Sequence, residues 1–238
     1  MQRDAAVGER GRNAFILTVV GRVEPVPMQI HQHQLEGPQF VAEQGQGFAA
    51  IFGAGHVQAM TAQADLADAQ QMKGMCESLA AQLNTNLRCV VNNASLFLPD
   101  QASDFEDDQA LSQWQVNLMA PMRMGRWLAQ LHAGATSAQA SLIHILDQKV
   151  FNLNPDYFSY TLSKLALHQA VALQAQALAP VLRVNAVAPG LLYLSGPQTD
   201  ENFQAAGRVN LLREPINPEH VAQSVLFLAQ NPGITGAS

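Results

Sequence analysis

Tyr160-Thr161-Leu162-Ser163-Lys164 sets a phenol and an ammonium four residues apart, so on a helix both side chains leave from one face. A phenol with a reference pKa near ~10 is a poor acid or base at neutral pH. A neighbouring ammonium stabilises the phenolate and pulls that value down. The pair is chemistry for moving a proton, with Lys164 supplying the field. Taken alone, the same spacing is also what an amphipathic helix produces when it packs on a sheet.

The elements that must position this pair can be read from about residue 61 onward, where short apolar runs alternate with helical periods, as in β-α-β units of a parallel sheet. Residues 87–91 (LRCVV) predict a buried strand running into Asn92-Asn93-Ala94-Ser95. Residues 114–131 have helical spacing, residues 141–146 (SLIHIL) predict the next strand, and residues 157–178 predict the helix that bears Tyr160 and Lys164. A strand at 182–187, a break at Pro189-Gly190 and a last helix over 218–229 follow, with Asn217 before Pro218 and Glu219 marking its start. Each strand thus ends in residues able to do chemistry: Asn93-Ala94, Asp147, and Asn185 to Gly190.

This order and spacing resemble the short-chain dehydrogenase/reductase family over about residues 62–236. The resemblance implies an α/β fold, a single Rossmann-like domain across 1–238 with a doubly wound parallel sheet, whose strand ends gather around a nicotinamide. It also implies an NAD(P)-dependent short-chain oxidoreductase. In that family Tyr160 is the proton donor to the reduced carbonyl or imine, Lys164 holds the nicotinamide ribose and tunes Tyr160, and Asn117 supports a proton-relay water. Cofactor contacts carry over onto Asp65 and Leu66 at the adenine and onto Asn93, Ala94 and Ser95. Pro189 and Gly190 correspond to the approach to the nicotinamide carboxamide. Residues 195–212 would form a substrate cover, or simply a surface loop with a helix.

Thirteen residues before the tyrosine the family usually has Ser, and this chain has Asp147. An ionised carboxylate accepts a hydrogen bond from a ring nitrogen or passes on a proton, which suits a nitrogen heterocycle better than a simple ketone. The same replacement is typical of pteridine reductases. Ser95 and Phe97 resemble the segment in which an aromatic ring sandwiches the pterin, and Tyr157 lies one helical turn before Tyr160; a flat ligand would use such stacking. Phe97 is also readable as core, and Tyr157 as a capping aromatic. The resemblance therefore implies NADPH-dependent reduction of a dihydropterin, with Ser95, Phe97, Asp147, Tyr157 and Tyr160 around it. NADP(H) is the expected cofactor and NAD(H) the alternative. A general carbonyl or alcohol reductase is the second reading, and a non-catalytic dinucleotide-fold binding protein the third.

Composition narrows the classes. A length of 238 residues suffices for a substantial core, and 48% hydrophobic against 13% charged residues describes a well-buried protein. No apolar run reaches the ~18 residues of a membrane span. A net charge of -6, with Lys only at 73, 149 and 164, argues against nucleic acid as a partner. The histidines, His31 and His33 included, lack ligand spacing, so no metal is expected. Cys76 and Cys89 suggest a reducing compartment, hence the cytoplasm. Pairing of the long helices, as in relatives, implies a homodimer or homotetramer.

The first 60 residues break the pattern. They contain no Lys, are rich in Gln, and scatter Pro25, Pro27 and Pro38. Residues 15–20 (FILTVV) read as the first strand, yet the segment 21–27 that follows holds one glycine, Gly21, and its prolines oppose the helix that should come next. The phosphate cradle needs a glycine-rich turn there. Gly53-Ala54-Gly55 lies too close to Asp65 to replace it. A shifted reading frame up to about Thr61 is the simplest reading. The sequence also stops at Gly236-Ala237-Ser238, where relatives enter a last short strand, so the first β-α-β unit and the last strand are both expected to be defective.

Overall fold

Among the described residues, apolar and β-branched runs form three strands: β1 (Cys89–Asn92), β2 (Ala140–Ile145) and β3 (Leu182–Val187). They come from a computed structural model that describes residues 62, 64–83, 87–138, 140–194 and 198–238. The expectations for residues 1–61, including the strand at 15–20 and the glycines at 53 and 55, lie outside the described residues.

The strands pair in parallel in the order β1-β2-β3, with Cys89 beside Ser141 and Ser141 beside Arg183. Around them run α1 (Ala69–Leu83), α2 (Asp107–Trp114), α3 (Ala120–Leu131), α4 (Phe158–Leu178), α5 (Asp200–Gly207) and α6 (Pro218–Gln230). Strand residues alternate between two apolar cores. Val90, Leu142 and Val184 join Met72, Met124, Leu128 and Leu167, which come from α1, α3 and α4. Val91 and Ile143 meet Val225 of α6 on the other side. Helices on both faces of a parallel sheet agree with the β-α-β units that the apolar pattern predicted and make the doubly wound arrangement that the resemblance implied.

Because the strands are parallel, their C-terminal ends share one edge. Pairing continues past them: Leu146 N–H donates to Val187 O at 2.8 Å and Gln148 N–H to Pro189 O at 2.9 Å. This brings Asp147 beside the Pro189-Gly190 segment.

The helix predicted as continuous over 114–131 is interrupted. A π-helical turn at Gln115–Met119 joins α2 to α3, and Ala120 N–H donates to Gln115 O, five residues back. Pro121 supplies the reason: it has no N–H to give to the carbonyl of Asn117, four residues back, so the α register cannot pass through. The helix predicted from residue 157 starts at Phe158, and Tyr157 stands before it in the left-handed region at φ 54, ψ 52. Asn217 does cap α6, its side chain accepting from Glu219 N–H at 2.9 Å.

The edge of β3 is not bare. Gly236 N–H donates to Val184 O at 2.7 Å and Ala186 N–H to Ala237 O at 2.8 Å. Asn185 adds side-chain bonds to Ile234 O and from Ala237 N–H. Residues 234–237 therefore lie along β3 where a last strand was expected to be lost. Arg183 fixes the preceding turn by donating to the carbonyls of Leu228 and Ala229, both at 2.7 Å. Among the described residues no helix is long and apolar enough to cross a membrane, and no cluster of three His, Cys, Asp or Glu is placed to hold a metal ion.

Candidate active site

One face of α4 buries Tyr160, Ser163 and Lys164 against the strand ends. The start of that helix lacks a side-chain cap of its own, and a distant loop supplies one: Asp100 Oδ1 accepts from Ser159 N–H at 3.0 Å and Asp100 O from Phe158 N–H at 3.3 Å. Lys164 Nζ donates to Ile145 O at 2.8 Å and lies 5.8 Å from the centre of the Tyr160 ring.

Asp147 follows β2 and faces this group. Its Oδ2 accepts from the Tyr160 hydroxyl at 2.8 Å, and its Oδ1 accepts from Lys149 N–H at 2.8 Å, capping a short 3-10 turn at Gln148–Val150. The backbone bond orients the carboxylate, and the phenol completes it.

Burial is the first cause that pushes the Tyr160 phenol well above its ordinary value; the Asp147 charge and hydrogen bond add to it, and Ser95 opposes. The downward pull expected of Lys164 does not prevail. Tyr160 is accordingly a neutral phenol, holding a proton it can give. Burial also draws the Lys164 ammonium from 10.5 down to about 8, with Asp147 opposing.

Asn117 is spent on local structure. Its Oδ1 accepts from Leu96 N–H at 2.8 Å and the Ser95 hydroxyl at 3.1 Å, and its Nδ2 donates to Leu96 O and Ser163 Oγ. The π-helical turn aims this amide at the segment after β1, so the side chain clamps Ser95-Leu96. A relay water at Asn117 would have to use its main chain.

Phe97 extends from the same segment, 36% exposed. It stacks face to face on Tyr157 with ring centres 3.9 Å apart and planes 6° from parallel, and meets Tyr160 edge-on at 4.6 Å. Neither ring is core or cap alone: together they form an aromatic wall beside the Tyr160 phenol and the Asp147 carboxylate.

The remaining candidates are less concentrated. Asn93 is exposed and Ala94 half-buried just after β1. Pro189 accepts from Gln148 N–H, and the bare α-carbon of Gly190 is approached by Ile216, whose Cδ1 a Cβ would meet at 2.6 Å. Leu66 is buried in the core, and the Asp65 carboxylate accepts from Ala67 N–H at 2.9 Å. Among the described residues no hydrogen bond of Asp65 reaches the Tyr160 group. Of the expected cover, α5 and the following turn stand out with exposed Val209, Leu211 and Leu212.

Sequence reasoning missed several participants. Ser163 ties Asn117 to α4, receiving its amide and donating to Tyr160 O at 2.6 Å. His144 sits buried in β2 between Asn92 Nδ2 at 3.1 Å and Gln174 Oε1 at 3.0 Å. Asn92 donates, so His144 Nδ1 accepts and Nε2 carries the proton; burial holds the ring neutral, with its pKa lowered to about 4. A helix start without a capping residue was the one signal that pointed to a partner such as Asp100.

A family model described as Enoyl-(Acyl carrier protein) reductase matches residues 41–238. The match begins earlier than residue 62, within the segment that composition sets apart. The chain is similar to a dihydromonapterin reductase from Enterobacter sp. (strain 638), 24% identical over 98% of this chain and 96% of the relative. It is also similar to one from Citrobacter koseri, 26% identical over 80% and 79%. Among solved structures it is similar to FolM alternative dihydrofolate reductase 1 from Brucella canis complexed with NADP. That match has 32% identity and a TM-score of 0.70, and covers 76% of this chain and 70% of that one. With the family model spanning most of its length and these relatives sharing its fold, the chain belongs to the short-chain dehydrogenase/reductase family of NAD(P)-dependent oxidoreductases, in its pteridine reductase-like branch.

Proposed function

We propose that this protein reduces a dihydropterin to the tetrahydro level with NADPH. The observation that carries the reading is the 2.8 Å hydrogen bond from Tyr160 to Asp147, a neutral proton donor held against a carboxylate where the family usually has a hydroxyl. The Phe97 and Tyr157 rings beside it supply the flat apolar surface that a pterin stacks on.

The chain's residues fit a nicotinamide cofactor. Among the described residues Lys164 gives one hydrogen bond, to Ile145 O, which leaves two N–H groups for ribose hydroxyls. When bound, the cofactor supplies the hydride. Tyr160 gives its proton to the reduced substrate, and Asp147 orients the phenol and receives a hydrogen bond from the heterocycle. Ser95 shares the substrate side, and Asn117 holds Ser95-Leu96 in register with α4. Asp65, Leu66, Asn93, Ala94, Pro189 and Gly190 are assigned to the cofactor by family position. The preference for NADP over NAD is supported by the NADP held in the Brucella relatives.

The test is oxidation of NADPH with dihydromonapterin, with a simple ketone run in parallel. Turnover of the pterin supports the reading, turnover of the ketone alone replaces it with a general carbonyl reductase, and absence of cofactor binding leaves a binding protein. Free Cys76 and Cys89 support a reducing compartment, the cytoplasm. An apolar groove between α3 and α4, lined by Met122, Ala129, Leu173 and Ala177, supports pairing of two copies.

A pH dependence follows from Lys164. The ammonium is the form that donates to ribose hydroxyls, so kcat/KM for NADPH is full below about 8 and falls as pH rises through that value. Lys164→Arg, with a charge that does not titrate in this range, flattens this limb. A limb unmoved in the arginine variant would assign it to another group. Stability takes the opposite sign: the unfolded chain keeps the proton up to 10.5, so folding gains as pH rises from about 8 to 10.5.

A further inference from the structure

We propose that Lys149 is a positioning residue for the aromatic wall of the site: its ammonium holds the turn before α4 and thereby the Tyr157 ring that backs Phe97 in that wall. The pterin reading determines only what stacks on the wall; the brace itself is a matter of Lys149 and its neighbours.

Lys149 is buried, although a lysine ordinarily keeps its ammonium in water. Nζ is met by Asn154 Oδ1 and by the carboxylate of Asp156, whose side chain is 60% exposed. A surface lysine would find the same carboxylate without losing its hydration, so the bridge alone does not explain the burial. What the burial adds is contact with Tyr157: Nζ lies 5.7 Å from the centre of that ring.

Tyr157 needs such support. Its left-handed backbone is costly for a residue with a Cβ and persists only when neighbours impose it. Lys149 pins Asn154 and Asp156 on one side, and the bonds from Phe158 and Ser159 to Asp100 pin α4 on the other. Between these anchors the Tyr157 ring comes to rest flat on Phe97.

The same residue also reaches Asp147, but through its backbone N–H. Side-chain replacement therefore leaves the carboxylate's cap in place while releasing Tyr157. The two roles separate in kinetics: wall and binding depend on the ammonium, and proton delivery does not.

Lys149→Met is expected to raise KM for dihydromonapterin roughly five- to tenfold, the contribution of a lost aromatic stack, with kcat within about twofold. Lys149→Arg, which keeps a cation over the ring, is expected to restore KM. In the ligand-free protein, the ring-current-shifted NMR signals of Phe97 and Tyr157 should move toward unstacked positions in Lys149→Met and hold in Lys149→Arg. Unmoved ring signals in Lys149→Met, or a fall in kcat without change in KM, would overturn the proposal. If Lys149→Met does not fold, Asp156→Asn decides by the same ring signals, a shift supporting the brace and its absence overturning it. If the native protein does not turn over dihydromonapterin, the pterin reading fails and the ring signals still decide the brace.

Discussion

Tyr160→Phe lowers turnover by about 10²–10⁴-fold, the usual contribution of a positioned proton donor, and leaves the fold in place. The hydroxyl is the only group removed; it donates to Asp147 at 2.8 Å and has Ser95 beside it. The ring keeps its edge-on contact with Phe97, and Lys164 keeps its bond to Ile145 O, so the cofactor side of the site is untouched. Loss of one bond to a charged acceptor costs about 1.5–3 kcal/mol of stability at most, offset by no longer burying a phenol. Steady-state reduction of dihydromonapterin, paired with NADPH binding by calorimetry, separates these terms. Retention of more than about half the native rate would remove Tyr160 from the role of donor.

Asp147→Asn is expected to lower kcat/KM for the pterin by about 10²-fold. The native carboxylate accepts from Lys149 N–H through one oxygen and from Tyr160 through the other. An amide has one oxygen, so its NH₂ is turned toward one of two donors, and one buried group loses its partner at a cost of about 1–3 kcal/mol. Asp147→Ser removes the conflict and restores the hydroxyl usual in the family, so it should recover ketone reduction before pterin reduction. The measurement is the ratio of kcat/KM for dihydromonapterin to that for a ketone across the three proteins. A ratio that does not change would detach Asp147 from substrate choice.

The elements were legible because each carries its own period. Residues 87–91, 141–146 and 182–187 are short apolar runs, and the structure has strands at each of them. Asn217-Pro218-Glu219 announced α6 through local capping chemistry. The Tyr160 and Lys164 pair was legible for the same reason, since helical spacing alone puts both on one face. Less local features were not. Pro121 was visible, but that it converts the preceding turn to π geometry depends on α2 packing against α4 while α3 packs against β2. The stack of Phe97 on Tyr157 joins residues sixty apart, and a residue in the left-handed region carries no mark when it is a tyrosine. The pKa of Tyr160 was misjudged in direction because helical spacing shows the nearby lysine but neither the burial nor the hydrogen bond that outweigh it.

The π-helical turn at Gln115–Met119 also sets how this region tolerates change in length. Relative to an α-helix such a turn carries one surplus residue, and each residue rotates what precedes it by about 100°. Deleting any one residue there would remove that surplus and rotate Gln113, and with it break the 3.2 Å bond that Leu98 N–H gives to Gln113 Oε1. Point substitutions leave that phase untouched. Descent in this segment should therefore proceed by exchange of side chains at fixed length, with insertions and deletions displaced into the loops on either side.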